Sequence, residues 1–377
     1  MIENMLKDKL IPFWENLIDR ENGGYYGYVD FDLNTDKNAV KGVILNSRIL
    51  WFFSVAGERE YAEHAYNFLT RSCMDIDNGG VYWSLNADGT PQDTTKHCYN
   101  QAFAIYALAA YYELTGEKRA LQHAYDLFST IETKCADPEG YGEAYDLKWN
   151  AAGNDKLSEN GVEAARTMNT LLHVFEAYSG LYQADKSPEV AAKMRKILAI
   201  FKDKVFNPKL DRQEVFFDAD YNSLIDLQSY GHDIESSWLI DWGTSLLGDP
   251  QLTAEIGAVT SRLAESVYSR AYHGNSLWNE REGDAENKSR IWWVQAEAVL
   301  GFFNQYQKTG EWKYLNAVRN ILTYISEKLV DKREGSEWFY DLDDDGKPTS
   351  RKPIVEPWKC PYHNGRMIFE LLKRGYE

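Results

Sequence analysis

Cysteine and histidine are scarce in this chain of 377 residues: four of the first and seven of the second. Cys73, Cys98, Cys135 and Cys360 lie far apart with no CxxC pair, the pattern of a reduced protein with incidental thiols rather than a disulfide scaffold. Basic residues are also few: 41 Lys and Arg against 58 Asp and Glu leave a formal charge of −17. That balance repels nucleic acid and anionic membranes, so neither is expected as a partner. No apolar run approaches the length of a membrane span. Residues 1–10 carry charges throughout and lack the apolar core of a signal peptide, so the expected compartment is the cytoplasm. Nothing matches GxxxxGK[ST], a strand-bounded GxGxxG or a GxSxG elbow. With no HxH, HExxH or other close ligand set, neither a metal nor another cofactor is expected.

Apolar residues make up 44% of the chain, enough for a large core. Aromatics are abundant: 12 Trp, 25 Tyr and 16 Phe. Most belong in the core, but those clustered near turns suit stacking on the CH faces of sugar rings.

Helical patterns alternate along the chain. One set is strongly apolar, as for helices buried on most faces: residues 43–53, 99–112, 168–182, 234–247, 291–306 and 363–372. A second set is amphipathic and charged: residues 1–18, 59–72, 118–133, 188–204, 250–269 and 311–329. Gly and Pro breaks such as Gly248-Asp249-Pro250 join each apolar helix to the next charged one. An aromatic turn precedes each apolar helix, as in Gly79-Gly80-Val81-Tyr82-Trp83 and Glu337-Trp338-Phe339-Tyr340, and its alternation predicts short strands or hairpins. The pattern predicts an all-α (α/α)6 barrel: six inner and six outer helices in a single domain spanning residues 1–377. An open solenoid is the alternative. In the ring, all inner helices run the same way, and their N-termini gather with the aromatic loops at one mouth.

An active site at that mouth requires polar groups near the start of each inner helix, where a core would not place them. All six segments carry such groups. Arg48 lies in the first and Tyr99 in Lys96-His97-Cys98-Tyr99-Asn100-Gln101 of the second. Asn169 and His173 form an i, i+4 pair in the third, and His232 and Glu235 an i, i+3 pair in the fourth. Trp292, Trp293 and Glu297 open the fifth; Trp358 and His363 mark the sixth. Each has a plainer alternative: Arg48 pairing with a buried carboxylate such as Glu297, His173 as a core histidine, the tryptophans as packing, and Glu235 as a first-turn acid favoured by the helix dipole. His64, His97 and His123 read as structural or exposed, and His273 is given no role.

The segments Ser229-Tyr230-Gly231-His232-Asp233-Ile234-Glu235, Trp292-Trp293-Val294-Gln295-Ala296-Glu297 and Trp358-Lys359-Cys360-Pro361-Tyr362-His363-Asn364-Gly365-Arg366 are the specific ones. On these the chain resembles the N-acylglucosamine 2-epimerase superfamily, essentially end to end. The resemblance implies an (α/α)6 barrel that inverts C2 of the reducing-end glucose of β-1,4-linked disaccharides without metal or nucleotide. It implies His232 and His363 as the acid–base pair, with His173 assisting ring opening. It further implies that Arg48, Tyr99, Asn169, Glu235, Trp293, Glu297 and Trp358 bind or orient the sugar; which of Trp292 and Trp293 faces the cavity stays open. The partner is then a small oligosaccharide, and the protein is expected to act as a monomer.

Inverting C2 of an aldose requires removing a proton beside a carbonyl, so the ring must first open. The proton must then return from the opposite face, which demands two bases straddling the substrate. Glu235, one turn from His232, is placed to orient it, and Arg48 to stabilise the anionic enediolate. Within the family, action on an N-acylated glucosamine or aldose–ketose isomerisation are the alternatives; Trp358 and the aromatic loops favour a disaccharide. A glycoside hydrolase of the same architecture would instead use two carboxylates, and Glu235 and Glu297 are its candidates.

Overall fold

The computed structural model describes residues 2–157, 160–348 and 351–376. The apolar segments form helices Val43–Ala56, Cys98–Thr115, Met168–Asp185, Tyr230–Leu246, Trp292–Thr309 and Tyr362–Lys373, each buried over most of its surface. Gly57, Gly116 and Gly310 stop three of them in the left-handed region, at φ 81°, 73° and 72°. The charged segments form Arg59–Phe68, Lys118–Thr130, Pro188–Ile200, Pro250–Arg270 and Trp312–Tyr324. The first charged segment is made of Ile2–Met5, Leu6–Leu10 and Ile11–Glu15; Met1 lies outside the described residues.

The charged segments were expected as uninterrupted α-helices, and five depart from that: the first widens internally at Leu6–Leu10, and four others at their ends. Leu69–Cys73, Ile131–Cys135, Phe201–Val205 and Ile325–Leu329 widen into a final turn with i→i+5 bonding, as in Ala136 N to Ile131 O (2.9 Å) and Val330 N to Ile325 O (2.9 Å). The widened turn leads directly into the aromatic segment, where antiparallel bridges Met74–Val81, Ala136–Tyr141 and Val330–Trp338 form.

The molecule is mostly helical, and its described strands form only two- and three-stranded sheets. Each inner helix packs on the next, and the sixth packs on the first, which closes the circuit and excludes an open solenoid. Short strands repeat that circuit. Lys41–Gly42, before the first inner helix, pairs with Ser84–Leu85 before the second; Lys96–His97 pairs with Ala144–Tyr145, and Arg166–Thr167 with Phe216–Phe217. Leu227–Ser229 pairs with Glu280–Glu282, and Arg290–Ile291 with Asp341–Leu342. A bridge from Val29 to Val355, ahead of the sixth inner helix, joins last to first.

Buried amides fasten the aromatic segments to the inner helices. Gln101 accepts from Val81 N (2.7 Å) and donates to Val81 O (3.0 Å); Gln295 makes the same pair with Leu277 (2.8 and 2.9 Å). Asn46 accepts from Tyr25 N at 3.0 Å. These amides are fully buried and turned toward the hairpins.

Candidate active site

A cavity of about 490 Å³ opens where the inner helices begin. Arg48, Tyr99, Asn169, His173, His232, Glu235, Trp292, Trp293, Trp358 and His363 all line it. Glu297 lies behind this wall, its Oε1 2.7 Å from His363 Nδ1.

His232 and His363 sit in the first turns of the fourth and sixth inner helices. Trp293 stands between them, its ring centroid 4.8 Å from His232 and 5.4 Å from His363. Both tryptophans line the cavity, Trp292 buried against Tyr340 (4.6 Å) and Trp293 more exposed. Burial drives the His232 pKa down to about 3, with His173 adding to the effect. His363 is likewise held well below the usual histidine range by burial, then by Arg366 and Arg48. Both shifts favour the neutral ring, the form in which an imidazole can take up a proton.

The support behind each histidine differs. His363 Nδ1 faces Glu297, and His173 Nδ1 lies 2.8 Å from Glu176 Oε2. A carboxylate there keeps the proton on Nδ1 and leaves Nε2 with a free lone pair. His232 Nδ1 instead meets the Ser229 hydroxyl at 2.7 Å. Glu235 does not orient His232 as expected; it bonds Arg366, and its Oε1 lies 3.9 Å from His363 Nδ1. The second turn of the helix carries the Glu235 carboxylate inward, toward the sixth helix.

Arg48 is 2% exposed and makes no ion pair with a carboxylate among the described residues. It donates to Tyr99 Oη (2.8 Å) and Trp358 O (3.3 Å), and its guanidinium lies 4.2 and 4.6 Å from the Phe103 and Tyr362 rings. The alternative pairing with Glu297 is thus not formed: Glu297 receives Trp238 Nε1 (2.9 Å), Arg366 Nη2 (2.7 Å) and His363 Nδ1. A cation buried without a counter-anion favours negative charge arriving beside it. Asn169 presents an unbonded Oδ1, and Trp358 packs 5.8 Å from both Trp83 and Tyr99.

A model of the N-acylglucosamine 2-epimerase (GlcNAc 2-epimerase) family matches residues 13–364. The chain belongs to this family. It is 48% identical to the cellobiose 2-epimerase of Eubacterium cellulosolvens, over 100% of this chain and 98% of that protein. To the cellobiose 2-epimerase of Ruminococcus albus it is 46% identical, with the same coverage. The solved cellobiose 2-epimerase of Bacillus thermoamylovorans superposes with a TM-score of 0.95 at 41% identity, covering 99% of this chain and 98% of that one.

This epimerase has site residues that the sequence did not single out. Arg366 is 1% exposed and bridges Glu176, Glu235 and Glu297 from three different inner helices. Tyr362 also donates to Glu176. The hint was present but unread: Glu176 lies one turn beyond His173, and Arg366 closes the Trp358–Arg366 segment. Burial pushes Glu176 upward, but Arg366, then His173 and Tyr362, outweigh it and hold its pKa at about 2. Burial, then the like charge of Glu297, raise Glu235 to about 7. Glu235, Glu297 and His363 bring ligand atoms within 4.8 Å of one another, yet the cation those carboxylates face is the Arg366 guanidinium.

Proposed function

We propose that this epimerase inverts C2 of the reducing-end glucose in β-1,4-linked disaccharides, taking cellobiose to glucosyl-mannose and lactose to epilactose. Residues 1–377 act in this proposal as one (α/α)6-barrel domain, a monomer in the cytoplasm that takes a neutral sugar and needs no cofactor. The observation that carries it is the pair His232 and His363, on separate inner helices, with one cavity and Trp293 between them.

His173, with Nδ1 held by Glu176, moves a proton at the ring or anomeric oxygen and opens the hemiacetal. One of His232 and His363, in its neutral form, takes the C2 proton, leaving an enediolate; the other, having taken up a proton from solvent, returns it to the opposite face. The second proton restores what the first removed, so the product is an isomer of the substrate. Arg48 faces the anion that forms between these steps. Trp293 stacks on the reducing sugar, while Tyr99, Asn169 and Trp358 contact the substrate around it.

Hydrolysis by Glu235 and Glu297 is disfavoured, because both carboxylates are committed to Arg366. Incubation with cellobiose in deuterated water tests the proposal. The expected product is glucosyl-mannose carrying deuterium at C2. Release of glucose, or a product with protium retained at C2, overturns it.

A further inference from the structure

Three buried acids share one guanidinium in this molecule, and two of them each hold the Nδ1 of a cavity histidine. Arg366 Nη1 bonds Glu176, whose other oxygen faces His173 Nδ1 at 2.8 Å. Arg366 Nη2 donates to Glu297 Oε1 at 2.7 Å, the same oxygen that meets His363 Nδ1 at 2.7 Å. One side chain therefore stands behind histidines on the third and sixth inner helices, contributed by residues far apart in sequence. We propose that Arg366 is a positioning residue that couples ring opening to C2 deprotonation, fixing His173 and His363 together in the tautomer that turns an Nε2 lone pair to the substrate.

Carboxylates buried this deeply take up protons unless a cation balances them. A protonated Glu297 would donate to His363 Nδ1, driving the ring proton to Nε2 and removing the lone pair a base needs. The same holds for Glu176 and His173. The donors are unevenly shared: Glu297 receives Trp238 Nε1 and Arg366 Nη2 and also faces His363 Nδ1, whereas Glu235 has Arg366 and an unbonded Oε2. Glu235 is thus the acid of the pair placed to hold a proton, while Arg366 balances the charge of Glu176 and Glu297 against the burial that raises Glu297.

The other titratable groups that bear on Arg366 are Tyr106 from the second inner helix and Tyr362 from its own. Arg48, from the first inner helix, adds positive charge beside His363. None can replace Arg366, because no other cation touches both Glu176 and Glu297 among the described residues.

This inference rests on the proposed epimerisation, and its test separates the two. Conversion of cellobiose by the unmodified enzyme is measured first and decides that function by itself. Arg366→Lys, Glu176→Gln and Glu297→Gln are then compared in two assays: anomer interconversion, which reads ring opening, and C2 deuterium uptake. Arg366→Lys is expected to slow both by about 10²-fold, the lower range of general acid–base assistance. Glu176→Gln should slow anomer interconversion, and Glu297→Gln deuterium uptake at C2 from the open-chain sugar. Nitrogen-15 NMR of the histidines should show His173 and His363 both losing the Nδ1–H form in Arg366→Lys, with His232 unchanged; this readout needs no turnover. Arg366→Met serves if Arg366→Lys does not fold. An Arg366 variant that slows only one step, or keeps both histidines in the Nδ1–H form, overturns the coupling.

Discussion

His363 Nδ1 lies 2.7 Å from Glu297 Oε1. His232, across Trp293, rests on a serine hydroxyl at the same distance, 2.7 Å. A carboxylate stabilises an imidazolium; a hydroxyl does so far less. Glu297→Gln should therefore lower kcat by about 10²-fold or more, and Ser229→Ala by only a few-fold. Steady-state rates of cellobiose conversion check this, and equal losses in the two variants would contradict the asymmetry.

Arg48 separates activity from stability. Its charge is buried without a carboxylate, so removing it relieves a desolvation cost while discarding stabilisation of the enediolate. Arg48→Met is expected to lose about 10²–10³-fold in kcat, the scale of one oxyanion donor. Its Tm should be unchanged or raised, as for other destabilising active-site groups. A Tm well below that of the parent would mean that Arg48 holds the helices together.

Glu235 should make stability depend on pH with a defined sign. Its pKa is raised in the folded protein to about 7, against 4.5 ordinarily, so the native state holds the proton more tightly. The stability it confers is full below about pH 4.5 and is lost as pH rises to about 7. Glu235→Gln does not titrate there. Urea unfolding of both proteins from pH 4.5 to 8 should show the parent losing ground to the variant, by on the order of a few kcal/mol, with no further change above pH 7. A shift in the opposite direction would mean that Glu235 is ionised in the native state.

Gly231 precedes His232, and a Cβ there would stand 2.4 and 2.7 Å from ring carbons of Trp293 and 2.7 Å from a Val294 methyl. Its backbone is outside the left-handed region, so space alone demands glycine. Gly231→Ala should cost about 1–3 kcal/mol by overpacking. Displacing Trp293 should also raise KM, because that ring separates the two histidines. Trp292→Phe, at a ring buried against Tyr340, should reduce Tm and raise KM less than the displacement of Trp293 does.

The residues that face the substrate were legible because they break a local rule. Histidine, arginine and asparagine at the start of an apolar helix stand out in sequence, and ten of those selected line the cavity. The groups behind them obey local rules and do not stand out. Glu176 looks like any acid one turn along a helix, and its partner Arg366 lies 190 residues away. Pairing over that distance follows from ring closure, which periodicity alone does not settle. The orientation of Glu235 failed for a related reason. Helical spacing put it near His232 but could not show that a guanidinium from the sixth helix would claim it.

The buried amides have a consequence for how such a molecule can change. Asn46 stands two residues from Arg48, Gln101 two from Tyr99 and Gln295 two from Trp293. Residues two apart point to opposite sides of a helix, so in each case one anchors a hairpin while the other lines the cavity. Architecture and chemistry are thereby recorded on separate faces of one helical turn. Substrate preference can drift through the inward positions while the anchors, and with them the shape of the mouth, stay as they are.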